Sequence, residues 1–208
     1  MKYNKPKIKI YDDKKISECV KENNYSNLHL EHDDSSIKIS DITFDSCIIE
    51  NVNFSTICLE NIELLDVIIK NCDLSNTNFD NQYLTRVSFI NCKLTGVSFI
   101  NAILKDVSFD HCNCQYVNFS GANMNNIEII DTDMSKGAFV ETKLKSLELN
   151  KTKLSEAEFI NLNLNGIDFT HCDISNIKID LHSLKGIKLN IFQCVDVARI
   201  IGVEVVDE

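Results

Sequence analysis

From Ile39 to Leu189 every position ending in 9 or 4 is apolar, with no slip of phase. The series opens Ile39, Phe44, Ile49, Phe54, Leu59, Leu64, passes through Phe79, Phe89, Phe99, Phe109 and Phe119, and closes on Ile179, Leu184 and Leu189. A period of five fits neither an amphipathic helix near 3.6 nor a half-buried strand at 2. Only a repeat architecture produces it, and the repeat governs every later inference.

Two residues before each of these centres sits a small or β-branched group, as in Cys47, Val52, Ile57, Val67, Cys72, Val87, Cys92, Val97, Ala102 and Val107. Residues two apart in an extended chain face the same way, so centre and small partner point inward together. The residue between them (Asn78, Ser88, Ser98, Ser108, Asn118) is polar and faces out. Two residues after the centres come Asn51, Asn61, Asn71, Asn81, Asn91 and Asn101, or Gly96, Gly121, Gly166 and Gly186. Asn and Gly tolerate the positive φ that a type II turn requires. Each pentapeptide is one flat side and one corner, and the chain coils.

The spacing of like residues sets the number of sides. Phe recurs every ten residues from Phe79 to Phe119, while Cys72, Cys92 and Cys112 recur every twenty, with Cys172 in the same column. A four-sided coil stacks like on like in both series, and a three-sided coil scatters them. At about 4.8 Å per coil, residues 37–189 make roughly seven to eight coils and a rod about 37 Å long.

The stretches "NCDLSNTNF", "VSFINCKLTGVSFINAIL" and "VNFSGANM" resemble the pentapeptide-repeat family. The resemblance covers about three quarters of the chain and implies an all-β fold, a right-handed quadrilateral β-helix; the hand comes from the family alone.

One uninterrupted array in 208 residues makes one domain with end pieces: a cap over 1–36, the β-helix over 37–189, and a capping and dimerisation module over 190–208. No apolar run approaches the ~18 residues of a membrane span. The N-terminal lysines precede no hydrophobic stretch, so no signal peptide is expected. Nine cysteines, mostly at inward positions, suit reduced thiols packed as small hydrophobes in a cytoplasmic protein. The net charge of −10 disfavours direct nucleic-acid binding, which calls for a basic footprint.

The ends break the period. Leu28 and Leu30 sit one step out of phase, "KIKIY" alternates like a strand, and "KKISECVKENN" suggests a short helical turn. After Leu189, Ile191, Val195, Ala198 and Ile201 fall on one helical face, Gly202 stops the helix, and a short strand is expected from Val203 to Val206. Phe192, Val197, Ile200, Val203 and Val205 are left over, and surplus apolar surface points to a partner. The segment "LKGIKLNIFQCVDVARIIGVEV" is similar to the C-terminal module of Qnr-like pentapeptide proteins, which implies an end-to-end homodimer. The expected interface is Ile191, Phe192, Val195, Val197, Ala198, Ile201, Val203 and Val205.

No phosphate-binding, dinucleotide, zincin or EF-hand motif occurs. "HCNC" at His111–Cys114 puts two cysteines inward and the histidine at a corner, which reads as core filler and not as a metal site. His182 falls at an inward position and reads as a core histidine. Glu128, Glu148 and Asp168 share an outward column, a candidate acidic partner surface. No catalytic residue, cofactor or metal is expected.

A rod without a pocket works through its surface, and two functions remain open. Resemblance to Qnr and MfpA proteins implies a DNA mimic that binds DNA gyrase or topoisomerase IV and protects it from quinolones. The unbroken phase leaves no room for projecting loops, so the resemblance is to the loop-free Qnr-like proteins of Gram-positive bacteria. Against the mimic, duplex DNA carries one charge per ~1.7 Å, while this rod carries about one net charge per 5 Å by the coil spacing. Lys93, Lys143, Lys145, Lys151 and Lys153 interrupt its acidic columns. The alternative is a non-enzymatic scaffold for another partner.

Overall fold

The structure, a computed structural model, describes residues 3–19, 22–31 and 36–206. Through the array each residue pairs in parallel with the one twenty positions on: Leu64 with Leu84, Leu84 with Leu104, Phe89 with Phe109, Val107 with Ile127. This register is that of the four-sided β-helix expected from the spacing of Phe and Cys.

The four walls are not equivalent. Strands Ile57–Lys70, Tyr83–Ile90, Ile103–Asp110 and Asn123–Ile130 run through the first two walls without a break in their extended course. The third wall pairs through single bridges such as Asp73–Lys93–Asn113, and the fourth does the same across the central coils, as at Asn78–Ser98–Asn118, with short ladders near its two ends (Ile37–Ile39 on Ile57–Leu59, Glu158–Phe159 on Lys178–Ile179). There the chain turns tightly after each centre: Thr77 N–H donates to the Leu74 carbonyl at 2.9 Å and Ala102 N–H to Phe99 at 3.1 Å.

The corner residues take positive φ where Asn and Gly predict it, for example Asn71 (54°), Asn101 (56°) and Gly96 (70°). So do Arg86 (53°), His111 (53°), Tyr116 (60°) and Lys136 (60°). A bulky residue pays strain for that conformation. Neighbouring coils impose it, since Tyr116 N–H must reach the Ser135 carbonyl (3.0 Å) and His111 N–H that of Ile130 (3.0 Å).

Inside, Phe79, Phe99, Phe119, Phe139 and Phe159 form one stack on the fourth wall, with centroids 4.9–5.3 Å apart. Phe89 and Phe109 stack on the opposite wall at 5.1 Å and meet the first stack edge-on. These geometries add about 0.5–1.5 kcal/mol per pair beyond burial. The cysteine column does more than fill space. Cys92 Sγ donates to the carbonyls of Ile69 (3.4 Å) and Ile90 (3.3 Å), and Cys112 Sγ to those of Phe89 and Asp110. Thr132 and Thr152 continue the column with hydroxyl donors to Phe109 and Ile129. Cys and Thr are interchangeable here because each is small and carries a donor.

The N-terminal segment continues the coil with a shortened register. Tyr25 lies over Phe44, and Leu30 over Ile49, nineteen residues apart in each case. That one missing residue is why Leu28 and Leu30 look out of phase. Of the expected helical turn, only Ile16–Glu18 is helical, as a 3-10 turn, and residues 20 and 21 lie outside the described residues. Buried Ile16 shares a small internal void with Ile39, Phe44 and Ile49 and so plugs the mouth of the column. Residues 7–11 form no strand; residues 3–11 run along the outside of the rod.

At the other end, helix α1 (Ile191–Ile200) starts on a capping box between Asn190 and Gln193. Gln193 is buried and donates to the carbonyls of Phe169 (2.7 Å) and Cys172 (2.9 Å), which no further coil satisfies. Three expectations need correction. The face that seals the column is Gln193 and Val197, not Ile191, Val195, Ala198 and Ile201, because the polar cap fixes the rotation of the helix. Residues 203–206 form no strand. His182 is exposed and Ser183 takes the inward place, because Asp180 draws the Ser183 amide (2.8 Å) and tightens the corner.

Candidate interaction surfaces

The acidic column begins from local geometry. Glu128 pairs directly with Glu148 in the second wall, and Asp168 bridges to Lys188 beyond them. Glu148 and Asp168 are exposed and Glu128 is half-buried. Like charges one coil apart repel, and two carboxylates of one column facing outward make no acid–base pair.

Asp168 also has a structural duty. Its Oδ1 accepts from the Thr170 hydroxyl (2.6 Å) and amide (3.0 Å), and these bonds hold its carboxyl below the usual range. The same turn recurs at Asp73–Ser75, Asp133–Ser135 and Asp173–Ser175, with Asn at 53, 113, 118 and 163 using its amide oxygen in the same way. Much of the outward acid therefore caps corners, and the signal for it is an Asn or Asp one residue before an inward centre, accepting from the amide two residues on. Cross-coil cations offset several acids: Lys93 with Asp73 (3.1 Å), Lys70 with Glu50 (2.8 Å) and Lys178 with Glu158 (2.6 Å).

The second surface is the C-terminal end. Ile191 and Phe192 are 75% and 80% exposed, with Ile200, Ile201, Val203 and Val206 exposed beside them. Val195, Ala198 and Val205 are half-buried. Val197, expected at an interface, is 8% exposed and closes its own column instead. The remaining expected residues stay on the outside of the rod's end.

No group of three His, Cys, Asp or Glu side chains converges on a metal-sized site among the described residues. In "HCNC", Cys112 and Cys114 are buried while His111 turns out to Asp110 at 2.6 Å. All nine cysteines are free thiols. Burial pushes Cys19 up to about 12 and Cys172 to about 11, so both stay protonated and unreactive at neutral pH. The grooves on the rod are shallow and open, like the one lined by Lys136, Glu156, Glu158, Asn176 and Lys178. No helix among the described residues is long and apolar enough to cross a membrane.

Comparison with known proteins bears on the fold. A family model described as a pentapeptide repeat region matches residues 62–136, and another described as pentapeptide repeats (8 copies) matches residues 138–176, together more than half of the chain. No curated protein sequence matches it. Among solved structures, a trypsin-treated variant of QnrB1, a plasmid-mediated fluoroquinolone resistance protein, is 20% identical over 96% of this chain and 97% of its own, with a TM-score of 0.45. HetL, a pentapeptide repeat protein involved in heterocyst differentiation regulation from the cyanobacterium Nostoc sp. strain PCC 7120, is 16% identical over 79% of this chain and 88% of its own, with a TM-score of 0.37.

Proposed function

This chain belongs to the pentapeptide-repeat family, and from that premise we propose that it is a non-enzymatic protein that occupies the DNA-binding surface of a type II topoisomerase. It does so as an end-to-end homodimer with its acidic walls outermost. The observation that carries this reading is the pairing of a straight, loop-free acidic rod with an exposed apolar end at Ile191 and Phe192. Burying that end against a second copy doubles the rod and removes the only large exposed apolar cluster found at either end among the described residues. Glu128, Glu148 and Asp168 then lie toward the middle of the doubled rod, where a DNA-binding saddle would be filled.

The test is a gyrase supercoiling and fluoroquinolone-cleavage assay with and without the purified protein. Inhibition of supercoiling or loss of drug-stabilised cleavage at micromolar protein supports the reading; no change in either overturns it. Light scattering on the native chain and on Phe192→Asp reports the dimer separately. The native chain should run at twice the mass of the variant, and a monomer mass for both removes the interface. The cross-coil lysines favour a second reading, a scaffold for a less cationic partner, because they partly neutralise the walls. An intact dimer with no effect on gyrase selects that reading.

A further inference from the structure

Outward positions on the β-helix should be wet, and on the bare C-terminal coils they are: Glu148 and Asp168 are exposed. On the central coils the same columns are dry. Asp66, Ser88, Asp106, Ser108 and Asn126 are each no more than 7% exposed, although all of them point away from the core. The N-terminal segment covers them. Tyr3 lays its hydroxyl between Ser88 (2.5 Å) and Ser108 (3.1 Å), 85 and 105 residues away in sequence. Asn4 gives Asp106 both its backbone amide (3.2 Å) and its side-chain amide (2.8 Å). Lys7 gives Asp66 its backbone amide at 2.8 Å, and Tyr11 N–H reaches the Asn27 carbonyl one coil-end away (2.9 Å).

The spacing fits a peptide. Asp66 and Asp106 are two coils apart, about 9.6 Å along the axis, and three residues of extended chain span about 10 Å. Backbone amides three residues apart, at Asn4 and Lys7, thus meet carboxylates two coils apart. Each carboxylate is braced from the next coil, Asp66 by Nε and Nη2 of a bidentate Arg86 (2.7 and 2.6 Å) and Asp106 by Asn126. Serine at 88 and 108 leaves room for a tyrosine ring where the later coils carry Glu. Yet the segment adds nothing to the coil-to-coil ladder, and its Asn4, Lys5, Lys7 and Lys9 are exposed. Three lysines in seven residues lie over a wall bearing Asp66, Asp106 and Glu128, so the segment reverses the local sign of the surface.

We propose that the wall formed by Asp66, Ser88, Asp106 and Ser108 is a docking edge for an extended basic protein segment, and that residues 3–9 are a displaceable strap that occupies it in cis. The wall reads backbone amides through its two carboxylates and a tyrosine through its two serines. A partner segment of the same chemistry displaces the strap and uncovers acid continuous with Glu128 and Glu148. The inference concerns a different part of the wall from the proposed topoisomerase surface and stands without it.

The test uses a fluorescein-labelled peptide of residues 2–11 and two chains, the full one and one lacking residues 2–9. A tethered strap acts at an effective concentration on the order of 1 mM, so a peptide binding the truncated chain at about 100 µM should bind the full chain about tenfold more weakly. Asp66→Asn and Asp106→Asn in the truncated chain should each weaken binding several-fold, and a scrambled peptide of equal charge should bind about tenfold more weakly. Equal binding to both chains, equal binding of the scrambled peptide, or no binding to a folded truncated chain overturns the proposal. Should the truncated chain not fold, amide exchange on the full chain decides. Lys7 N–H exchanging about a hundredfold faster than Val87 N–H supports a displaceable strap. Exchange of both at one rate makes the segment an integral part of the fold and ends the proposal.

Discussion

The coils between Tyr83 and Ile130 and those between Lys143 and Leu189 obey the same five-residue rule, yet they are built to different standards. In the central set the paired strands are eight residues long and the inward residues Val87, Phe89, Phe99, Leu104 and Phe109 are fully buried. In the later set the strands shrink to two to four residues, Leu144, Leu149, Leu184 and Leu189 are only partly buried, and Cys172 and Ile179 sit at 9% exposure. Polarity at the centres does not explain this, since both sets are apolar throughout. Size and neighbours do. The second wall passes from stacked Phe89 and Phe109 to Ile129 and Leu149, and the final coil has another coil on one side only, with helix α1 on the other. A solenoid is held by nearest neighbours, so its stability is local, greatest where large side chains stack on both sides.

The largest test of that contrast truncates one inward side chain in each region. Phe99 stacks on Phe79 (5.2 Å) and Phe119 (5.1 Å) and meets Phe89 and Phe109 edge-on. Phe99→Ala should cost about 3–5 kcal/mol in urea denaturation, while Leu189→Ala, half-buried at the end, should cost about 1 kcal/mol. Equal losses would show that the rod unfolds as one unit and that the difference in packing carries no energetic weight.

The centre was legible in the sequence and the periphery was not, for one physical reason. A period survives only where each coil repeats the same contacts. Hence the square section, the inward Phe and Cys columns and the Asn and Gly corners all follow from spacing. Arg86 and Tyr116 at positive φ do not, because coil-to-coil hydrogen bonding overrides their own preference. Nor does the strap, whose Tyr3 meets Ser88 with no local pattern between them. Of the candidate surfaces, the stacking of Glu128 on Glu148 could be read directly. The burial of Val197 could not, because the Asn190–Gln193 cap sets the helix rotation and a count of apolar residues does not see it.

A middling effect separates volume from hydrogen bonding along the cysteine column. Cys92→Val keeps the size but removes the donor to Ile69 and Ile90, while Cys92→Thr keeps both, as Thr132 and Thr152 do naturally. Valine should lose about 1 kcal/mol and threonine less than half of that, read as shifts in urea midpoint. If the two variants are equally stable, the thiol is filler and the donor ladder contributes nothing.

The smallest expected effects come from the cross-coil ion pairs, and they contrast the same two regions. Asp66 lies under the strap with its side chain 8% exposed, gripped at both oxygens by Arg86, whereas Lys178 and Glu158 meet in open solvent. Arg86→Gln should therefore cost about 1 kcal/mol, while Lys178→Gln should leave the urea midpoint unmoved. Burial alone would raise the Asp66 carboxyl, but hydrogen bonds from Arg86 and the Lys7 amide, with the Arg86 charge, hold it below the usual range. A carboxyl lowered on folding contributes its stability above its unfolded value and loses it as pH falls through the folded one. The gap between the native chain and Arg86→Gln should thus hold from about pH 8 to pH 5 and close below about pH 4, as Asp66 takes up its proton. A gap that persists undiminished in acid would mean that Arg86 acts through the packing of its stem against the wall, and the charge pair under the strap would be no different in kind from the idle one at the end.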